Sequence, residues 1–80
     1  HPTAERAMLV YGLAEATLTP LMEEVEQSWP GIKVFSLPRL NTKFYEIELG
    51  VKGPPEYVEA SFEFLRKGMA ELGGQIEGLH

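Results

Sequence analysis

Cysteine and aspartate are both absent from this chain of 80 residues. Without cysteine there are no disulfides, thiolate metal sites or cysteine nucleophiles. A small domain that has no disulfides fits a reducing compartment, so we expect a cytoplasmic protein. Aspartate is the short carboxylate that commonly binds magnesium or supports a catalytic histidine. The two histidines, His1 and His80, are terminal, where a tag remnant or a disordered end explains them. We therefore predict no cofactor and no metal site.

Long apolar runs and an excess of positive charge are also missing. No stretch approaches the roughly 20 apolar residues that span a bilayer, so we expect no membrane partner. Seven lysines and arginines stand against twelve acidic residues, all glutamates, and the formal net charge is −5. Nucleic-acid binding needs a basic surface that releases counterions, and this balance argues against it. The core of one small domain leaves little room for a deep active-site cleft.

Apolar spacing predicts a strand followed by a helix in the first part of the chain. Arg6 to Gly12 is apolar on both alternating sides, which is typical of a central strand covered on both faces or nearly so. The helix has acidic residues opposite its apolar stripe and ends at Pro30-Gly31. Because Pro20 is tolerated only in a first turn, Thr17 is predicted as the N-cap. The apolar stripe consists of Leu18, Leu21, Met22, Val25 and Trp29.

Two further strands and a second helix complete the pattern. Ile32 to Leu37 and Tyr45 to Val51 are predicted strands, joined by the hairpin loop "PRLNTK". The second helix opens at Pro54-Pro55 and closes at Gly73-Gly74, and "QIEGL" has room for a short edge strand. This order is typical of the split-βαβ, ferredoxin-like class, a two-layer α+β sandwich with both helices on one face of an antiparallel sheet. The predicted buried side chains are Tyr45, Ile47, Leu49, Val51, Val58, Phe62, Leu65, Met69 and Leu72.

Two turns and a group of basic residues are candidate sites. Glu15, after Gly12 at the first strand-to-helix turn, is placed to act as a base or bind a cation, but a favourable charge at a helix start explains it too. "GVKG", Gly50 to Gly53, has the GxxG spacing of nucleic-acid-binding KH loops, yet it ends a strand, and a tight connection explains its glycines. Basic residues near the second strand offer a contact for an acidic partner or a phosphate. They are Lys33, Arg39, Lys43 and Lys52.

The second helix carries a further stripe beside its buried one. Tyr57, Ser61, Phe64 and Gly68 recur at helical spacing, and Phe64 falls well away from the centre of the core stripe. Gly68 costs about 1 kcal/mol relative to alanine inside a helix, a cost that close approach of another backbone would justify. We therefore predict an interface with another domain or subunit at Tyr57, Phe64 and Gly68.

Three runs of the sequence, "RAMLVYGLAEATLTPLM", "VFSLPRL" and "YEIELGVKG", follow one another in a distinctive order. They resemble the segment that follows the molybdopterin-binding-like domain in the CinA family of competence/damage-inducible proteins. In that family a strand ends in an aromatic-Gly-x-x-Glu turn, matched here by Tyr11, Gly12 and Glu15. The resemblance covers about residues 6–72.

The resemblance implies that any chemistry lies in other domains of a longer protein. The family segment is described as a KH-type domain that follows a domain associated with metal-dependent ADP-ribose pyrophosphatase activity. In longer members it precedes a nicotinamide-mononucleotide deamidase domain. No catalytic residue carries over to this chain, and the KH label describes shape only. We expect 1–80 to be a single domain excised from such a protein, with its core at about residues 6–77.

Several functions remain open from the sequence. The first is a non-catalytic accessory domain that contacts other domains or a second subunit. A small-molecule sensor of the ACT type shares the βαββαβ order, and a KH-like nucleic-acid-binding domain would use Lys52 and the basic hairpin. An acylphosphatase-like enzyme would need an arginine-bearing loop after the first strand, where this chain has "GLAEAT".

Overall fold

Four strands and two helices make up the computed structural model, which describes residues 2–40 and 45–79. In chain order they are β1 (Ala4–Tyr11), α1 (Glu15–Ser28), β2 (Lys33–Leu40), β3 (Tyr45–Gly53), α2 (Pro55–Glu71) and β4 (Gln75–Leu79). The strands form one antiparallel sheet in the order β2-β3-β1-β4. This is the split-βαβ arrangement, so the predicted α+β class is confirmed, and the C-terminal segment supplies the fourth strand. His1 and His80 lie outside the described residues.

The hydrophobic core lies between the helices and one face of the sheet. Met8 and Val10 of β1 are fully buried there, opposite Leu49 and Ile47 of β3 in the strand register. Ile47, Leu49 and Val51 are buried as predicted, whereas the side chain of Tyr45 lies outside the described part of the chain. The helices contribute Leu18, Leu21, Val25, Val58, Phe62, Leu65 and Met69.

Helix α1 begins three residues earlier than predicted. Its N-cap is Ala14, which has an extended backbone and no side-chain cap, and the N–H of Thr17 donates to the Ala14 carbonyl at 3.1 Å. The prediction of Thr17 as N-cap is therefore wrong. Pro20 is tolerated deeper in the helix because Ala16, whose carbonyl loses its N–H partner, is exposed and can be hydrated.

Helix α2 ends in a Schellman motif, which confirms its predicted end at Gly73-Gly74. The N–H of Gly74 donates to the Met69 carbonyl at 3.2 Å and that of Gly73 to the Ala70 carbonyl at 3.0 Å. Gly73 has a φ of +95°, which favours glycine. Leu72 precedes this turn as the C-cap and is 44% exposed, so its predicted place in the buried stripe is wrong.

The second face of the sheet carries neither helix, although β1 is apolar on that side too. β1 is an inner strand as predicted, but the helices cover one face alone. Ala7 is nevertheless 3% exposed, because the ring of Phe35 crosses the sheet above Gly50. A Cβ atom on Gly50 would lie 2.5 Å from that ring and 2.5 Å from the carbonyl oxygen of Arg6. A glycine therefore lets an aromatic ring cover part of the open face.

Candidate functional site

A groove runs between α1 and α2 on the surface of the helix layer. It consists of two adjoining depressions of about 370 and 320 Å³. Phe64 lines one end of the groove and Leu72 the other. The lining residues that both depressions share are Leu21, Glu24, Gly68 and Glu71.

Gly68 lines this groove together with Leu21 of α1, which packs directly against it. A Cβ atom at this position would lie 2.5 Å from Cδ1 of Leu21, so the α1 leucine occupies the space that a larger residue would take. The close approach that was expected to justify this glycine is therefore made inside the chain, between α1 and α2. The predicted contact of Gly68 with an outside partner stays a prediction, and the structure adds that the side chain of Leu21 packs directly against this glycine.

The aromatic residues of the predicted interface are both partly exposed. Phe64 is 36% exposed, and its ring meets Trp29 edge to face with the centroids 5.4 Å apart. Tyr57 is 38% exposed and lies in the first turn of α2. Ser61, which the spacing placed on the same outer stripe, is fully buried, and its hydroxyl donates to the Tyr57 carbonyl at 2.7 Å. The outer surface of α2 therefore turns toward Phe64 and Leu72, and the continuous stripe expected through Ser61 is wrong.

The helix layer holds most of the acidic excess of the chain. Its two basic residues are Arg66 and Lys67, and Arg66 pairs with Glu63 on the same helix. The hydrogen bond from Arg66, reinforced by its charge, holds the pKa of Glu63 below its usual range, and the pKa of Arg66 is raised by the same contact. The glutamates of the two helices are Glu15, Glu23, Glu24, Glu26, Glu56, Glu59, Glu63 and Glu71.

Tyr11, Gly12 and Glu15, the residues of the family turn motif, do not converge on one point. Gly12 has a φ of +91° and makes the turn after β1. Glu15 is the first residue of α1, and its Oε1 accepts a hydrogen bond of 2.8 Å from the hydroxyl of Ser36 on β2. Tyr11 alternates with buried Val10 and so points to the opposite face of the sheet. Glu15 thus joins α1 to β2, a contact that local sequence does not reveal.

Three of the four predicted basic residues lie on the open face of the sheet. Lys33 and Lys52 are direct partners in the register of β2 and β3. Arg39 lies toward the other end of this face, where its Nη2 donates to Oε1 of Glu48 at 2.9 Å. Lys43 lies outside the described residues.

Acidic side chains balance the basic ones on this open face. Glu5 of β1 and Glu46 of β3 lie on the open face, because they alternate with residues that face the helices. Glu46 is buried there and interacts with other residues. The GxxG glycines have structural reasons, because a Cβ on Gly53 would lie 2.6 Å from the carbonyl oxygen of Gly31. The face is therefore mixed in charge, not basic.

A wider depression of about 530 Å³ lies at the start of α2. Pro2, Pro54 and Pro55 form much of its wall, and Glu56 is its charged residue. Ligand pockets usually combine apolar walls with several placed polar groups, and the polar side chains of this lining are those of Thr3 and Glu56. It therefore offers little to orient a metabolite.

Within residues 2–40 and 45–79, no three histidine or glutamate side chains converge as ligands for a metal ion. Neither helix in the described part of the chain is long and apolar enough to cross a bilayer.

A scan against protein-family models finds no match to this chain, and a search of curated proteins finds no significant relative. The resemblance to the CinA segment therefore stays a prediction.

Proposed function

We propose that this chain is a non-catalytic accessory domain of a CinA-like, molybdopterin-binding-like protein, and that it contacts another domain or a second subunit through the groove between α1 and α2. The observation that carries the proposal is the pair of exposed apolar side chains at the two ends of that groove. Phe64 and Leu72 are both more than one third exposed at its two ends, and Gly68 and the side chain of Leu21 line it between them. Water would leave this surface when a partner covers it, which favours association.

The contact between Phe64 and Trp29 supports the same surface. Aromatic residues, phenylalanine among them, are enriched at the cores of protein interfaces. The edge-to-face contact restrains the Phe64 ring before any partner arrives, so less conformational entropy is lost on binding. An exposed ring already held in place is a better anchor than a freely rotating one.

The open face of the sheet gives less support to nucleic-acid binding. Arg39 is paired with Glu48, and Glu5 and Glu46 lie on the same face as the lysines. A phosphate backbone would meet carboxylates there as well as Lys33 and Lys52. The depression at the start of α2 likewise gives little support to a small-molecule sensor, because of its few polar side chains.

The test is to place a charge at each end of the groove in the longer protein that the resemblance implies. Phe64→Glu and Leu72→Glu should lower the mass of the assembly in light scattering, or raise amide hydrogen exchange along α2 where the contact is within one chain. Leu37→Glu is the matched control, since Leu37 is 54% exposed on the open face of the sheet. Circular dichroism must show that all variants remain folded.

Two results would contradict the proposal. One is that both groove variants keep the wild-type mass and the wild-type exchange along α2. The other is that Leu37→Glu changes assembly as much as they do, because the contact would then not be specific to the groove.

A further inference from the structure

The groove has the dimensions to receive two apolar side chains that lie one helical turn apart. Phe64, Gly68 and Leu72 follow one another at intervals of four residues along α2 and its C-cap. At a rise of 1.5 Å per residue, the two exposed apolar ends are about 12 Å apart along the helix axis, or a little over two turns. The two depressions adjoin over Gly68, each large enough for a leucine-sized side chain.

The wall of the groove sets the charge of its occupant. Glu24 on α1 and Glu71 on α2 line both depressions, and neither makes an ion pair within the described residues. A partner that covers them without positive charge would remove water from two carboxylates and give nothing in return, which is costly. Lys67 lines only the depression at the Phe64 end, so the charged residues that line the Leu72 end are both glutamates.

The same charges disfavour a symmetric pairing of two copies through this groove. An isologous contact would bury the same patch on both copies, so Glu24 and Glu71 of each copy would enter one interface with only one lysine, Lys67, per copy. Like charges placed together across an interface cost several kcal/mol. The occupant of the groove is therefore not the same groove of a second copy.

The surroundings of the groove favour a helix over an extended strand as the occupant. Both walls are helices, whose backbone N–H and C=O groups are used internally, so they offer no edge that could pair with a strand. A third helix satisfies its own backbone and packs its side chains as ridges into the groove between the other two.

We propose that the groove between α1 and α2 binds a basic amphipathic helix, with apolar side chains four residues apart seated over Gly68 between Phe64 and Leu72. Lysine or arginine residues of that helix pair with Glu24 and Glu71. This inference rests on the proposed function and adds the chemistry of the partner to it.

The probe is a fluorescein-labelled synthetic peptide of 18 residues, built from leucine and lysine in amphipathic helical order. A peptide in which glutamate replaces every lysine is its control. Fluorescence anisotropy with the 80-residue protein should show binding of the lysine peptide alone, weakening as salt is raised from 50 to 300 mM.

Two neighbouring glutamates of α1 supply matched protein variants. Glu24 lines the groove, whereas Glu23 precedes it on the same helix, is also exposed and does not line it. Glu24→Lys should weaken the lysine peptide about fivefold or more, since it removes one attraction and adds a repulsion, while Glu23→Lys should change the affinity less than about twofold. Circular dichroism of both variants controls for folding.

Equal weakening by both substitutions would overturn the inference, because the peptide would then respond to the general negative field of the helices. Binding of the glutamate peptide, or no binding of either, would also overturn it. If Phe64→Glu still changes assembly in those cases, the groove is an interface for a partner of other chemistry and the proposed function stands. If Phe64→Glu and Leu72→Glu leave assembly and exchange unchanged, the proposed function fails as well.

Discussion

Glu15→Ala should destabilise the protein by about 2 kcal/mol, because the Glu15 carboxylate joins two elements of the fold. Its Oε1 accepts a partly buried hydrogen bond of 2.8 Å from the Ser36 hydroxyl, 21 residues away on β2. A hydrogen bond to a charged group contributes about 1.5 to 3 kcal/mol, and partial exposure places this one at the lower end. A negative charge on the first residue of α1 adds about 0.5 kcal/mol through the helix dipole.

Glu15→Gln separates the two contributions. An amide oxygen can still accept the hydrogen bond from Ser36, but the charge is lost, so the expected destabilisation is about 1 kcal/mol. A double-mutant cycle of Glu15→Ala with Ser36→Ala isolates the contact itself, and its coupling energy should be about 1.5 kcal/mol. Urea unfolding can be followed by the fluorescence of Trp29, the single tryptophan of the chain, which packs against the core.

If the free energy of unfolding of Glu15→Ala lies within about 0.5 kcal/mol of that of the wild type, the range of ordinary surface substitutions, this reasoning is refuted. A coupling energy near zero would refute the contact with Ser36 in particular. In the first case Glu15 would have no structural role at the turn after β1. Its role as a base or a cation ligand would then need to be considered again.

Three further predictions concern the sheet and the surface of α2. Gly50→Ala should cost about 2 to 3 kcal/mol in urea unfolding, because the new methyl group would lie 2.5 Å from a β1 carbonyl oxygen that cannot move alone. Glu26→Ala should raise amide exchange of Val34 about tenfold, since the Glu26 carboxylate accepts that N–H at 2.8 Å. Arg66 lowers the pKa of Glu63, so the small stability that this pair contributes is present above the unfolded-state pKa and is lost as the pH falls through the folded-state pKa. Thermal unfolding from pH 7 to pH 3 should show the difference between wild type and Glu63→Gln shrinking with acid.

The order of elements could be predicted from the sequence because each element has its own local signal. The stripe of Val58, Phe62, Leu65 and Met69 has helical period, and Ile47, Leu49 and Val51 alternate, so both patterns identify their element without knowledge of the rest. The class followed because two amphipathic helices and an antiparallel sheet have one compact arrangement in this order.

The failures of prediction come from contacts between distant segments and from backbone details. Thr17 was predicted as N-cap from Pro20, but the exposure of Ala16, which tolerates this proline, depends on which side of α1 meets the sheet. Ser61 is polar and lies near the outer stripe, yet its hydroxyl is satisfied by helix carbonyls, so it can be buried. Local spacing reports neither condition.

The contacts of the candidate sites were equally hidden from the sequence. Lys33 and Lys52 face each other because of the register between β2 and β3, and register is a property of the pair of strands. Likewise, Gly68 was recognised as a costly residue, but the leucine that fills its space lies 47 residues earlier, on α1. The groove follows from that pairing of helices.

The β2 edge of the sheet offers few hydrogen bonds to an added strand, whereas the helix layer offers a partner both charges and apolar surface. The N–H of Val34 points away from β3 and is bonded to the Glu26 carboxylate at 2.8 Å. Pro38 lies four residues further along β2, so its backbone nitrogen also points away from β3. Because proline has no N–H, it cannot donate a hydrogen bond to an added strand. An incoming strand would find one donor occupied and another missing. On the helix layer, in contrast, Glu24 and Glu71 have no ion pair among the described residues, and Phe64 and Leu72 are exposed, so a partner gains both charge pairing and apolar burial there.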